Sequence, residues 1–214
     1  MVNCGLEKEC IRKQLCEYCS RNPSCTFEIK KDHFKTKNKN VIRRRNTSKS
    51  AERSLALRLH GQRQPLSGAL DKVAGLTGFA GDVKTDDLLI EHKMRSSVDK
   101  DGNKFISIKK EWIDQIVEQT EKLNSVTNDN KKPAVVFKYT YSKDSYIIFR
   151  EIDFPDKDIS IFNVEASKKS ISIKEKEIKD ILKLNTVMSF SFKDDDKIYY
   201  VLNLNYWINN FRGK

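Results

Sequence analysis

A strand, an amphipathic helix and a second strand follow one another between residues 87 and 139, and this succession constrains the fold more than any other feature of the chain. Asp87–Lys93 has an apolar centre of two leucines and an isoleucine, which predicts a strand. Apolar residues then recur at helical spacing, at Trp112, Ile113, Ile116, Val117 and Leu123. Pro133–Tyr139 is typical of a buried strand entered after a proline. The pattern predicts an α/β domain built on a central mixed sheet flanked by helices.

A helix ending near His60 is predicted upstream of this unit. Glu52, Leu55, Ala56 and Leu59 lie at i, i+3, i+4 and i+7, so a carboxylate shares the face that packs on the core. Burying a glutamate is costly unless it is paired or bound to a metal. The alternative is that Glu52 reaches solvent from the first turn along its own methylenes.

The sequence predicts three regions along the chain: a cysteine-rich module with a basic linker at 1–45, the α/β core at 46–150 and an α/β extension at 151–214. In the extension, Ser172–Glu175 has the pattern of a capping box and predicts the start of a helix. Alternating Met188, Phe190 and Phe192 predict a strand. Asp194–Asp196 is interpreted as a hairpin turn between strands.

Charge and cysteine usage narrow the class of partner and the compartment. The 41 Lys and Arg against 30 Asp and Glu give a net charge of +11, which favours a polyanion such as nucleic acid. No stretch of about 18 apolar residues occurs and no secretion signal is recognisable, so no membrane association is expected. All five cysteines lie in the first 25 residues, a pattern that favours metal binding in a reducing, cytoplasmic environment.

The cysteine-rich segment predicts a small zinc module. Cys16 and Cys19 form a C-x-x-C pair, and Cys25 and His33 complete a tetrahedral set, although Cys4 or Cys10 could replace one of the last two. The segment also resembles the front half of an HNH treble clef, without its later Asn, His and second cysteine pair. The alternative is five ordinary reduced cysteines. The basic linker holds Arg43, Arg44 and Arg45, which are predicted to follow a phosphate backbone or simply to be solvated.

Two acids and a lysine form the strongest candidate site. Glu91 and Lys93 alternate onto one face of the predicted strand, and a hairpin turning near residues 85–86 would bring Asp82 beside them. Two carboxylates can share Mg²⁺, and a nearby lysine can help to deprotonate an attacking water. Asp87 competes with Asp82, but on an extended strand it lies ~13 Å from Glu91. The alternative is a turn aspartate next to an exposed ion pair.

With these residues, the sequence resembles the PD-(D/E)xK nuclease superfamily, and within it the phage-type and archaeal-type Holliday junction resolvases. The matching segments are 51–52, 63–69, 81–83, 89–93 and the helix and strand through 137. The resemblance implies a restriction-endonuclease-like core. It implies Asp82 and Glu91 as Mg²⁺ ligands with the His92 carbonyl, Lys93 as the catalytic lysine and Glu52 as an assisting acid. It also implies that three loop residues contact DNA: Arg63, Gln64 and Ser67.

The function implied by the resemblance is Mg²⁺-dependent hydrolysis of DNA phosphodiesters at branched junctions, with Mn²⁺ able to substitute and 5′-phosphate ends as products. Cutting two strands related by near-twofold symmetry would be served by a homodimer. A phage origin is implied in the same way. The alternatives are a restriction or repair endonuclease of the same superfamily and a non-catalytic, zinc-containing DNA-binding protein.

Overall fold

The computed structural model describes residues 48–64, 81–150, 159–182, 186–193 and 195–212. All of them belong to one compact unit that spans residues 45–214. The predicted zinc ligands Cys16, Cys19, Cys25 and His33, the arginines at 43–45 and Ser67 lie outside the described residues. Within the described ranges, no helix is both long enough and apolar enough to cross a membrane.

Helices and strands alternate along the chain. The helices are α1 at residues 48–58, α2 at Lys110–Thr127, α3 at Glu175–Ile181 and α4 at Leu204–Asn210. The first strands are β1 (Gln62–Arg63), β2 (Val83–Lys84), β3 (Leu88–Met94), β4 (Ser97–Val98), β5 (Lys104–Lys109) and β6 (Lys132–Lys138). The later strands are β7 (Tyr146–Phe149), β8 (Ser160–Glu165), β9 (Ser170–Lys174), β10 (Thr186–Ser191) and β11 (Tyr199–Asn203).

A large mixed sheet organises the molecule. Eight described strands are ordered β1-β2-β3-β6-β7-β11-β10-β8. The pairs β3/β6 and β8/β10 are parallel, and the other neighbouring pairs are antiparallel. The predicted α/β class with a central mixed sheet is therefore confirmed. Strands from the region after residue 150 continue the same sheet, and Asp195 and Asp196 lie in the β10–β11 connection, as predicted for a hairpin.

Each face of the sheet is covered by its own set of helices. Alternation in β3 sends Leu89 to the core that contains Trp112 and Ile116 of α2. It sends Ile90 to the opposite core, which contains Leu55 of α1 as well as residues of α4. The parallel β3/β6 pair is thus buried on both sides, which explains the nearly continuous apolar run in each strand.

A second, three-stranded sheet of order β4-β5-β9 packs beside α2 and α3. Ser172 lies inside β9 and pairs with Ser107 of β5, so the predicted capping box at residues 172–175 is wrong. The helix α3 starts directly after the strand, and its N-cap Lys174 makes no side-chain capping bond. Burial of Ile171 and Ile173 explains the outcome, because a strand places both on the core side and the cap pattern does not.

Candidate active site

Asp82 is bonded to the residues on both sides of Glu91. The hairpin of β2 and β3 pairs Val83 with Ile90, as predicted. The amide of Asp82 donates to the carbonyl of Ile90 at 2.8 Å, and its carboxylate oxygen Oδ2 accepts from the amide of His92 at 2.9 Å. These two bonds hold Asp82 beside Glu91.

The backbone before Asp82 is fixed by a glycine and a glutamine. Gly81 has a φ of +67°, a backbone conformation that is unfavourable for residues other than glycine. A Cβ atom there would lie 3.0 Å from the Leu89 side chain and 3.1 Å from the Ile90 carbonyl. The Gly81 amide donates to Oε1 of Gln119 on α2 at 3.1 Å. The acid-bearing hairpin is therefore connected to the helix that covers this face of the sheet.

Glu91 and Lys93 lie on the α2 side of β3, one strand repeat apart. Both are half-buried, and the Lys93 ammonium forms an ion pair with Oε1 of Glu91. Lys93 Nζ also lies 5.4 Å from the centre of the Trp112 ring, within the range of a cation–π interaction. The lysine is thus held between a carboxylate and an aromatic ring.

Glu52 is buried on α1 and is fully engaged. Its Oε2 accepts from Arg63 Nε at 2.7 Å, and its Oε1 accepts from the Ser48 hydroxyl at 3.2 Å. This pairing removes most of the cost of burying the carboxylate and explains how Glu52 can share the apolar stripe of its helix. The charge of Glu52 still acts on both Asp82 and His92, so it belongs to the same electrostatic cluster.

The cluster perturbs proton binding at Asp82. Burial, and next the negative charge of Glu91, raise the pKa of Asp82 to about 7, against the opposing hydrogen bond from the His92 amide. Burial lowers the pKa of His92 to about 4, so its imidazole is neutral. Its Nδ1 has no hydrogen-bond partner among the described residues. Alternation places the His92 side chain on the α1 side, away from Glu91 and Lys93.

The donor set fits a hard divalent cation. Burial first, and then repulsion from the Glu91 carboxylate, raise the pKa of Asp82, and a cation held by Asp82 and Glu91 would relieve that repulsion. Within the described ranges, no three His, Cys, Asp or Glu side chains form a metal-binding group. Mg²⁺ characteristically takes only one or two carboxylates and keeps its waters, so two acids are a sufficient protein contribution.

Of the four residues predicted to be catalytic, Asp82, Glu91 and Lys93 lie together at the β2–β3 hairpin, whereas Glu52 lies on α1 and acts on Asp82 through its charge. Two of the predicted DNA contacts have other partners here. Arg63 is paired with Glu52, and the amide of Gln64 donates to the carbonyl of Asp82 at 2.9 Å. The competing acid, Asp87, accepts from the Thr85 hydroxyl at 2.7 Å in the hairpin turn. The predicted roles of Arg63 and Gln64 in DNA contact stay predictions.

Two glutamines of α2 have different surroundings, because Gln115 is exposed and Gln119 accepts the hydrogen bond from Gly81. A signal was present: Gln119 falls seven residues after Trp112 and three after Ile116, so a polar residue interrupts the apolar stripe that faces β3. The contact of Trp112 with Lys93 had no comparable signal, because Trp112 also satisfies the pattern of an ordinary core residue.

No family model, curated protein or solved structure matches this chain. The functional interpretation therefore depends on the geometry of the residues described above.

Proposed function

We propose that this protein is a Mg²⁺-dependent endodeoxyribonuclease with a restriction-endonuclease-like core. The observation that carries the proposal is the position of the Asp82 carboxylate, bonded to the amide next to Glu91, while Lys93 contacts Glu91 on the same strand. Two carboxylates that can serve as hard oxygen ligands, with an ammonium group beside them, are groups that metal-dependent hydrolysis of a phosphodiester can use. The net charge of +11 supports a polyanionic substrate.

Each residue has a distinct task in this proposal. Asp82 and Glu91 hold Mg²⁺, which when bound activates water and screens the negative charge that develops on the phosphate. Lys93 exchanges its bond to Glu91 for one to the attacking water or a phosphate oxygen, and the Trp112 ring keeps the ammonium at the site during the exchange. Glu52 of α1 and Arg63 of β1 form an ion pair of their own, which stabilises the cluster next to the hairpin that carries Asp82.

The substrate and assembly form the finer part of the proposal. We infer branched DNA, a Holliday junction above all, cut by a homodimer whose twofold axis relates the two incisions. The cysteines at 16, 19 and 25 with His33 would hold a structural Zn²⁺ in an N-terminal module. We expect the protein to act in the cytoplasm, where a phage enzyme would meet its DNA. A restriction or repair endonuclease with the same catalytic residues is the alternative.

Cleavage of defined DNA substrates tests this function. A labelled four-way junction, a linear duplex of the same sequence and a single strand are incubated with the full-length protein in Mg²⁺ or Mn²⁺. Lys93→Ala is compared with Lys176→Ala, which removes an exposed lysine of α3. We expect paired incisions in the junction with wild type and Lys176→Ala, and a loss of at least about 100-fold with Lys93→Ala.

The outcomes separate the candidate functions. Cutting of the linear duplex that depends on Lys93 would keep the nuclease and replace the junction specificity by a restriction or repair role. Binding without cleavage by wild type in either metal would contradict the enzymatic proposal and favour a DNA-binding protein. Cleavage that persists in Lys93→Ala would show that another site, or a contaminant, performs the reaction.

A further inference from the structure

A second cation shares the Trp112 ring with Lys93. The guanidinium carbon of Arg95 lies 5.7 Å from the ring centre, and Lys93 Nζ lies 5.4 Å from it. Arg95 follows β3 by one residue and continues the alternation of Glu91 and Lys93, so all three lie toward the α2 side of the sheet. Arg95 is exposed, whereas Trp112 is only 7% exposed and forms part of the core.

Arg95 has no counter-ion in the part of the chain that the structure describes. The nearby carboxylate of Glu91 is paired with Lys93, and that of Glu52 is paired with Arg63. Lys138 lies at the end of the neighbouring strand, where its carbonyl accepts from the Arg95 amide at 3.3 Å. The side chain of Lys138, however, lies on the opposite, α1 side of the sheet, because the register pairs Lys138 with Met94 and its charge lowers the pKa of His92 on that side.

Lys93 and Arg95 therefore share one aromatic ring, and only Lys93 has a carboxylate partner among the described residues. Like charges at close range repel each other, and an anion bound at Arg95 would relieve that repulsion. A guanidinium that stacks on an aromatic ring is held in orientation while its N–H edge stays open, and this edge matches the oxygens of a phosphate.

We propose that Arg95, stacked on Trp112, is the subsite for a backbone phosphate adjacent to the phosphodiester held at Asp82, Glu91 and Lys93. The assignment of the occupant as a nucleic-acid phosphate rests on the proposed function. The subsite makes the end of β3, on the α2 side of the sheet, the track along which the DNA strand continues from the cleavage site. Trp112 acts here as a positioning residue for both cations.

Equilibrium binding tests the subsite separately from catalysis. The probe is a fluorescein-labelled duplex or four-way junction, titrated with full-length protein in Ca²⁺ in place of Mg²⁺, at about 50 to 300 mM salt. Arg95→Gln is compared with Lys138→Gln, which removes a charge from the opposite side of the sheet, and with Lys176→Gln, which removes one from an exposed position on α3. Arg95→Lys tests the guanidinium fork, since it keeps the charge. Trp112→Phe keeps an aromatic ring in the core and tests the stacking partner.

We expect Arg95→Gln to raise Kd about tenfold near 100 mM salt and to reduce the slope of log K against log salt by about one. Arg95→Lys should keep that slope and weaken binding about threefold. Lys138→Gln and Lys176→Gln should both stay within twofold of wild type. Equal affinity and slope for wild type and Arg95→Gln would overturn the subsite, even if wild type cleaves DNA. Arg95-dependent binding without any Mg²⁺-dependent cleavage would keep the subsite and overturn the nuclease.

Discussion

The side-chain oxygen of Gln119 accepts a hydrogen bond from the backbone amide of Gly81 at 3.1 Å, across 38 positions of the chain. The bond joins the middle of α2 to the residue that precedes Asp82. Because α2 also supplies Trp112, one helix supports both the acid-bearing hairpin and the lysine of β3. The position of the candidate catalytic groups thus depends on packing of α2 against the sheet.

Replacing Gln119 by leucine should separate positioning from folding. The variant leaves the Gly81 amide without its acceptor, which costs about 1–3 kcal/mol if water does not replace it. Because the hairpin loses its restraint beside Asp82, we expect kcat for DNA cleavage to fall at least tenfold with little change in KM. Gln115→Leu on the same helix is the matched control, since Gln115 is exposed. Equal kinetics for the two variants would contradict a positioning role.

Gly81→Ala should damage the site more than an equivalent change elsewhere. The comparison is Gly102→Ala, because both glycines have positive φ, at +67° and +80°. A methyl group at Gly102 meets nothing within 4 Å, whereas at Gly81 it meets Leu89 and the Ile90 carbonyl. We expect Gly102→Ala to cost about 1 kcal/mol of unfolding free energy through backbone strain alone. Gly81→Ala should cost more and should also reduce cleavage, as measured by urea unfolding and turnover.

Asp82 should make stability depend on pH in the absence of added divalent ions. Its pKa is about 7 in the folded protein and near 3.8 in a solvated chain. Between these values the folded state keeps a proton that the unfolded state has released, so the contribution of Asp82 to the free energy of unfolding falls as the pH rises. Asp82→Asn removes this contribution. Denaturant unfolding at pH 4, 5.5 and about 7 should therefore show a smaller decrease with pH for the variant than for wild type.

The same proton should compete with Mg²⁺ at Asp82. Metal ligands bind in their deprotonated form, so raising the pH through about 7 should strengthen Mg²⁺ binding and release protons. Calorimetric titration in two buffers of different ionisation enthalpy measures both effects. An affinity that is constant from pH 6 to about 8 would show that Asp82 is not a ligand.

Lys131 should stabilise the hairpin without serving the reaction. It is 7% exposed, and its ammonium donates to the carbonyls of Thr85 and Asp86 at 2.7 and 2.8 Å. Lys131→Met keeps the apolar stem and leaves both carbonyls without that donor, which should lower the free energy of unfolding by about 1–3 kcal/mol. Exposed Lys132 is the control for the loss of a lysine at the adjacent position. Thermal denaturation of Lys131→Met and Lys132→Met measures the difference.

Local pattern was sufficient for the elements that have strong periodicity. Three segments were predictable from their local apolar pattern: the strand that leads to Glu91, the helix α2 and the strand after Pro133. In each of them the apolar residues recur at the spacing of the backbone conformation that the segment adopts. The hairpin between Asp82 and Glu91 was predictable for the same reason, since only one turn region separates the two strands. The capping box at 172–175 failed because burial of two isoleucines in β9 outweighed a four-residue motif.

Local sequence pattern was enough for the α/β class and for the approach of Asp82 to Glu91 and Lys93, because alternation and short-range chain reversal are local properties. The groups that surround these residues depend on tertiary packing. Three contacts join segments that are distant in sequence: the bond between Gly81 and Gln119, the pairing of Glu52 with Arg63, and the two cations over Trp112. No local pattern encodes such contacts, since they arise when helices pack on opposite faces of a sheet and bring their side chains to its edge.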